Sequence, residues 1–296
     1  MMEISRKNPL SSSPDEQANI ELINQAIAGS RKALNQLLEI HNQFIFNIAI
    51  KMIGDVERAK DMTQDILIKI TTNLAKYDAQ KGAFTPWLYR LAFNYILDQK
   101  KSKTENNIKS FSQFFNFIDD VPDQLLSDGD SEESEIYSRE TKIKCTTGML
   151  MCLSREDRLL YVVGELFQID HNLGSTIFDI SKDNFRKKLS RIRKDLYQWM
   201  NNRCGLVNTD NPCRCKKKTK GFIERGIVDP DKLIWNDDFK HRIEDFTSTK
   251  LEELQISADQ AYATLYREHP MKEQITTEEV ISAVLGDKNL REMIDL

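Results

Sequence analysis

The sequence lacks several features that would place it in other protein classes. No apolar run approaches the roughly 18 residues needed to cross a membrane, and the first residues lack the apolar core of a signal peptide. Cysteine and histidine are scarce, with five and four residues in a chain of 296. The cysteine number is odd and three of the five fall between 204 and 215, which favours a reducing compartment over a disulfide scaffold. These absences predict a cytoplasmic protein without membrane contact.

Charge is unevenly distributed, although the formal net charge is only -4. Residues 182–194 contain seven Lys or Arg and one acid, whereas residues 104–135 contain nine acids and one Lys. A basic stretch beside an acidic one is typical of a nucleic-acid surface next to a segment with another role.

Apolar residues recur at helical spacing from Ile20 onward, and no convincing alternating strand is present. The sequence therefore predicts an all-α protein with two helical domains joined by an acidic linker, and a helical C-terminal extension. The phenylalanines of the linker are too apolar for a pure spacer, so part of it is expected to dock. The predicted order is a disordered leader at 1–16, a first domain at 17–102, the linker at 103–138, a second domain at 139–203, a cysteine and basic segment at 204–220 and an acidic helical extension at 221–296.

The helix predicted at 85–101 is central to the first domain. Its apolar stripe is expected to include Trp87 as a core residue, and Thr85 is a candidate N-cap. The opposite face carries Arg90, Asn94 and Lys101. By itself this pattern indicates only an amphipathic helix with a cationic end.

The second domain has the pattern of a helix-turn-helix. Asp170 is expected to cap a short helix and Ser181 a longer basic one, and Asp179 stands at the turn between them. Asp tolerates a left-handed backbone better than most residues. The outer face of the longer helix offers Lys182, Asn184, Arg186, Lys187, Ser190 and Arg191 to a DNA groove. Phosphate contacts by these cations would give salt-dependent affinity rather than sequence choice.

Cys204, Cys213 and Cys215 are a candidate zinc site. The fourth ligand would be water or a histidine such as His241 or His269. The alternative is a reduced structural cluster without metal, and no other cofactor is required. Predicted helices of the extension, through Leu251 and Val280, favour a docking module for a protein partner or for the chain's own domains.

Two parts of the sequence carry a family resemblance. The first runs through AIAGSRKALNQLLEIHNQFIFNIAIKMIGD, ERAKDMTQDILIKI and YDAQKGAFTPWLYRLAFNYILDQKK, and the second through LSREDRLLYVVGELF and ISKDNFRKKLSRIRKDL. Together they cover about residues 20–200. In this order they resemble the extracytoplasmic-function (ECF) sigma factors of the sigma-70 family, which are promoter-specificity subunits of bacterial RNA polymerase.

The resemblance implies roles for matching positions only. Residues 17–102 and 139–203 would be sigma domains 2 and 4, and Asp61, Gln64 and Asp65 would contact core RNA polymerase. The acidic linker would thread the polymerase cleft, and an anti-sigma factor or other protein could dock on the extension. The first domain would bind and help to melt promoter DNA at the -10 element, and the second would read the -35 element. The implied -10 residues are Tyr77, Asp78 and Lys81 in a base-capturing loop, with Arg90, Asn94, Lys100 and Lys101 after it.

Two other functions fit parts of the sequence. A transcription regulator could bind DNA through the helix-turn-helix alone, without stable polymerase association. A metal nuclease using Asp119, Asp120 and Asp123 is a remote third reading, because a loosely held linker cannot preorganise a site. The sequence therefore predicts a binding protein rather than an enzyme.

Overall fold

The computed structural model describes residues 16–127 and 131–233, and the regular structure within these ranges is entirely helical. The all-α prediction is confirmed there. The predicted leader and most of the predicted extension, including His241, Leu251, His269 and Val280, lie outside the described residues. The α-helices are α1 Glu16–Ile27, α2 Arg31–Ile53, α3 Val56–Asn73, α4 Phe84–Asp98, α5 Lys103–Asn107, α6 Phe111–Asp120, α7 Glu132–Met151, α8 Arg155–Tyr161, α9 His171–Phe178, α10 Lys182–Arg203 and α11 Cys215–Glu224, with a 3-10 helix at Leu74–Lys76 and a π-helix at Val162–Leu166.

Helix termini follow the local sequence. Asp55 accepts the backbone N–H of Arg58 at 3.1 Å and so caps α3. Gly54 ends α2 in the left-handed conformation, with φ 66°. The prediction that Thr85 caps α4 is wrong. Fully buried Phe84 already lies in the first turn, so the helix begins there.

The described residues form two compact units. The first contains residues 16–100 and 162–188, hence α1 to α4, the π-helix, α9 and the start of α10. α2 packs against α1 and α3, and α4 packs against α3 and α9. Its core is apolar and aromatic, with Leu37, Ile48, Ile66, Phe84 and Tyr89 almost fully buried.

A neutral polar pair lies inside the first unit. His41 Nδ1 is 3.0 Å from the hydroxyl oxygen of Tyr89, and both side chains are buried. Burial lowers the pKa of His41 to about 4 and raises the pKa of Tyr89 well above its ordinary value. The pair therefore stays uncharged at neutral pH and links α2 to α4 through a hydrogen bond.

The second unit contains residues 101–127, 131–161 and 189–233 of the described chain. Two helices, α5 and α6, lie in the segment predicted as a linker. Phe115 is buried and its ring stacks on Trp199 of α10, with centroids 5.8 Å apart. The expectation that these phenylalanines dock is therefore confirmed, because α6 is amphipathic and its apolar face needs a partner.

The compact units are not the same as the domains predicted from sequence. Residues 162–188 pack in the first unit, while residues 139–161 and 189–203 belong to the second. In the first unit, Phe167 meets Phe44 at 4.4 Å between ring centroids, and Phe178 meets Phe93 at 5.6 Å. Aromatic contacts between residues so distant in sequence leave no trace in local periodicity. The division into functional domains that end at residue 102 and begin again at residue 139 stays a prediction.

A buried ion cluster organises the second unit. Glu105 accepts hydrogen bonds from Arg155 Nε at 2.7 Å and from Arg158 Nη1 at 3.0 Å. Arg158 also donates to the carbonyl oxygens of Leu150 and Leu153, at 3.0 and 3.2 Å. The cluster ties α5 to α8 and, through the Leu150 carbonyl, to the end of α7.

We expect Glu105→Ala to lower the free energy of unfolding by about 3 kcal/mol, because it leaves the buried Arg158 guanidinium without its counter-ion. Chemical denaturation of the full chain measures this loss. Asp119→Ala is the matched control, since it removes a partly exposed ion pair with Arg203 and should cost about 1 kcal/mol or less. Equal losses in the two variants would contradict the importance of the buried cluster.

The same carboxylate should make stability pH-dependent. Burial alone would raise the pKa of Glu105, but the hydrogen bonds from Arg155 and Ser102 and the charges of both arginines outweigh it and lower the pKa to about 2. Between this value and the ordinary 4.5, the unfolded chain binds more protons than the folded one. Stability from Glu105 is therefore complete above about pH 4.5 and lost as the pH falls toward 2. Glu105→Gln should have a flatter profile over this range.

Candidate nucleic-acid interface

One exposed acidic face lies on α3. Asp61 and Asp65 are exposed and Gln64 is half-buried, so the structure places all three predicted residues on the surface of this helix. The hydroxyl of Tyr95 donates to Asp65 Oδ2 at 2.6 Å, and the Lys69 ammonium lies 5.2 Å from the centre of the Tyr95 ring. Burial and the hydrogen bond to Asp65 raise the pKa of Tyr95 to about 12. Tyr95 therefore orients Asp65, a contact between α4 and α3 that the sequence alone did not indicate.

The loop between the 3-10 helix and α4 is closed by its own side chains. Tyr77 donates its hydroxyl to the carbonyl of Gly82 at 3.0 Å. Asp78 accepts the backbone N–H of Gln80 at 2.9 Å and lies 3.3 Å from the Lys81 ammonium. These two contacts, the backbone one first, lower the pKa of Asp78. Gly82 has φ 151°, which favours glycine, so the loop is a defined turn rather than a loose connection.

Aromatic rings support this loop from beneath. The rings of Tyr77 and Phe84 meet edge to face at 5.2 Å, and Trp87 stacks on Phe84 at 5.6 Å. Trp87 also lies 5.5 Å from Tyr77 and remains half-buried. Trp87 therefore packs on the core residue Phe84, but it is half-buried rather than the core residue that the sequence predicts.

The cationic face of α4 is shorter than predicted. Arg90 and Asn94 are exposed on the helix, but α4 ends at Asp98, so Lys100 and Lys101 follow it as exposed residues outside the helix. The carbonyl of Lys100 accepts a hydrogen bond from Arg58 at 3.2 Å. The Arg90 guanidinium donates to the backbone carbonyl of Thr176 in α9, a partner that sequence cannot indicate because every residue has a carbonyl.

The helix-turn-helix pattern is present as α9, a turn and α10. Asp170 caps α9, and Asp179 takes the left-handed conformation at φ 53° and ψ 45°. A Cβ on Gly174 would lie 2.6 Å from the Phe185 ring, so this position needs glycine for the close approach of α9 to α10. Exposed side chains on the part of α10 in the first unit include Lys182, Asn184, Arg186 and Lys187.

Ser190 and Arg191 lie on the part of α10 that belongs to the second unit. Both are exposed, and Arg191 forms an ion pair with Asp157 at 3.2 Å. A partly exposed pair of this kind contributes little to stability, so Arg191 can exchange it for another anion at small cost.

The acids suggested for a metal nuclease have other partners. Asp119 pairs with Arg203, and Asp123 lies 3.0 Å from the Lys218 ammonium. Across the described ranges, no three His, Cys, Asp or Glu side chains are arranged as a metal site.

The five cysteines are all free thiols, and Cys204 is the most buried of the predicted three, at 4% exposed. No helix in the described part of the chain is both long enough and apolar enough to span a membrane.

Comparison with known proteins finds relatives for the part of the chain that contains the acidic face of α3 and the Tyr77–Ala83 loop. Residues 37–105 match the sigma-70 region 2 family. An 81-residue stretch is 30% identical to the ECF RNA polymerase sigma factor SigW of Bacillus subtilis and covers 27% of this chain and 43% of that protein. A 97-residue stretch is 24% identical to the ECF RNA polymerase sigma factor SigE of Mycolicibacterium smegmatis and covers 32% of this chain and 37% of that protein. The first part of the chain is thus similar to region 2 of the sigma-70 family and to two ECF sigma factors.

The matched part runs from within α2 to within α5 and includes Asp61, Asp65, the Tyr77–Ala83 loop and Arg90. The chain spans less than half the length of these ECF relatives. The helix-turn-helix and the cysteine segment lie outside the region 2 match, so their description depends on the structure and the sequence pattern.

We expect Arg90→Ala to loosen α9 from α4, because the substitution removes a charged hydrogen bond to the Thr176 carbonyl. Amide hydrogens of α9 should exchange roughly fivefold faster, as a loss of about 1 kcal/mol implies. Exchange in α2 and α3 should not change. Asn94→Ala, one turn further along α4, is the control and should leave α9 protected.

Proposed function

We propose that this protein is an ECF sigma factor that binds core RNA polymerase, recognises promoter -10 and -35 elements and promotes DNA melting. The observation that carries the proposal is the match of residues 37–105 to sigma-70 region 2, on a domain that exposes an acidic face and a cationic face on adjacent helices. Both relatives reported above are named as RNA polymerase sigma factors.

The acidic face would bind the polymerase. Asp61 and Asp65 are four residues apart on α3, so both carboxylates project from one side of the helix. The hydrogen bond from Tyr95 holds Asp65 in place before binding, which lowers the conformational entropy lost when a partner docks. The partner surface should therefore be basic, and association should be salt-dependent.

The Tyr77–Ala83 loop and the α4 face would hold the melted -10 strand. Extruding a base from duplex DNA costs a few kcal/mol, which a fitted pocket and aromatic contacts must offset. The loop is closed by Tyr77 and Asp78, and the partly exposed Trp87 ring lies next to it. Arg90 and Asn94 would then hold the strand backbone beyond the captured base.

The exposed cations of α10 would contact the -35 duplex. Lys182, Arg186 and Lys187 are exposed and would neutralise phosphates, and Asn184, exposed near the start of the helix, would contact a base edge. The left-handed turn at Asp179 sets the direction in which α10 leaves α9. The extension from 221 would serve as a docking surface for an anti-sigma factor or another regulator.

Reconstitution with core polymerase tests the proposal. We expect the full chain to form a stable holoenzyme and to give transcripts that begin at defined promoters. A chain that binds DNA but never core polymerase would instead act as a regulator through its helix-turn-helix. Deleting residues 20–102 cannot separate these functions, because residues 162–188 pack in the same compact unit.

Paired point substitutions separate polymerase binding from DNA binding better than this deletion does. Asp61→Lys should weaken polymerase binding at least tenfold, because it reverses one charge of the acidic face, and should leave duplex binding unchanged. Arg186→Ala should weaken binding to upstream promoter DNA about fivefold to tenfold and leave polymerase pull-down unchanged, because it removes one exposed cation of α10. The same defect in both variants would contradict this division of roles.

A further inference from the structure

Part of the predicted acidic linker is bound by helix α11 within the second unit. Helix α6 ends at Asp120, and the chain that follows it lies on α11. The backbone N–H of Gln124 donates to the Lys217 carbonyl at 2.9 Å. Val121 is 1% exposed, and a Cβ on Gly221 would lie 2.5 Å from its Cγ1 atom. Helix α11 therefore approaches the linker at a distance that a side chain at this glycine would prevent.

Two cations from α11 and its C-terminal end complete the C-terminus of α6. The Lys218 ammonium donates to the Val121 carbonyl and lies 3.0 Å from Asp123 Oδ1. The Arg225 guanidinium donates to the Asp120 carbonyl at 3.0 Å. The last carbonyls of a helix lack partners within the helix, and their partial negative charge favours cations. These hydrogen bonds join residues 97 and 105 positions apart, so local periodicity could not indicate them.

The contacts of this region differ in how readily a partner could replace them. Phe115 is 2% exposed and its ring stacks on Trp199, so separating the two rings would expose apolar area. The Asp123 side chain is 44% exposed, and another cation can replace Lys218 as its partner at small cost. Release is therefore easiest for residues 120–124, while α6 itself stays docked through its aromatic side chains.

We propose that α11 competes with a basic partner surface for residues 120–124, holding them in the free chain and releasing them when the partner binds. The inference rests on the proposed function, under which the partner is core RNA polymerase and the acidic linker enters its cleft. A surface that binds Asp120 and Asp123 must offer cations, as Lys218 does for Asp123 within the chain. One carboxylate cannot occupy both surfaces at once. Helix α11 thus lowers the apparent affinity for polymerase, because only chains with a released segment are competent to bind fully.

Zero-length cross-linking of the full chain measures the contact without any substitution. A carbodiimide joins an ammonium to a carboxylate as an amide only where the two groups touch, and mass spectrometry of the digest identifies the product. We expect a Lys218–Asp123 product in the free chain, and roughly fivefold less of it in the purified complex with core polymerase. The Lys216–Glu135 pair, at 3.4 Å, is the internal control because it joins α11 to α7. Its product should be equally abundant in both samples.

Arg225→Ala tests whether the contact opposes polymerase binding. Because Arg225 is exposed, the variant should stay folded while residues 120–124 are held less tightly. We expect its apparent affinity for core polymerase to rise about fivefold in a binding titration. Lys216→Ala is the matched control, since it removes a cation of the same helix that pairs with α7, and its affinity should equal that of wild type. An Arg225→Ala affinity equal to or below that of wild type would overturn the competition.

The outcomes separate this inference from the proposed function. A free chain that gives the Lys216–Glu135 product but no Lys218–Asp123 product would overturn the inference before polymerase is added. A stable complex that retains the Lys218–Asp123 product at the level of the free chain would overturn the inference and leave the sigma-factor function in place. A chain that forms no complex with core polymerase would contradict the proposed function, and the inference would be lost with it.

Discussion

The burial of one face of α4 fixes what the opposite face can bind. Phe84, Tyr89 and Phe93 are almost fully buried, and the Tyr89 hydroxyl is held by neutral His41. Because side chains on a helix keep fixed angular relations, anchoring these three rings also fixes Arg90 and Asn94 at the surface. The same packing places Tyr95 against Asp65 of α3. The two faces that we propose bind polymerase and DNA are therefore positioned by one aromatic core.

The second unit depends on charge rather than on aromatic packing alone. Replacing the buried Glu105 cluster by apolar side chains of similar size could be neutral, whereas removing one member leaves an uncompensated charge. The cluster therefore contributes a specific geometry more than net stability. It joins α5, in which the region 2 match ends, to α8. The start of the predicted linker thus has a defined path instead of being a loose spacer.

Local features of the fold could be predicted from sequence, while contacts between distant residues could not. The cap at Asp170 and the turn at Asp179 depend on neighbouring residues only, and these predictions agree with the structure. The hydrogen bond from Arg90 to the Thr176 carbonyl depends on how α4 and α9 pack. The sequence predicted Trp87 as a core residue of α4, whereas Tyr89 and Phe93 are buried and Trp87 is only half-buried. The resemblance to sigma factors supplied roles for exposed residues that spacing alone leaves as a solvated surface.

Arg90 connects the structure of the first unit to its proposed role. Its guanidinium donates to the Thr176 carbonyl, while the ring of Phe93 on the buried side of α4 packs on Phe178 of α9. A charged hydrogen bond at an exposed site contributes about 1 kcal/mol, and a DNA phosphate offers a stronger, charge-complementary partner. Exchanging the carbonyl for a phosphate therefore requires only rotation of an exposed side chain. Separating the aromatic pair would expose apolar area as well and would cost more. Under the proposed function, Arg90 can thus bind a strand while α9 remains on α4, and displacement of α9 is not a precondition for its contact with DNA.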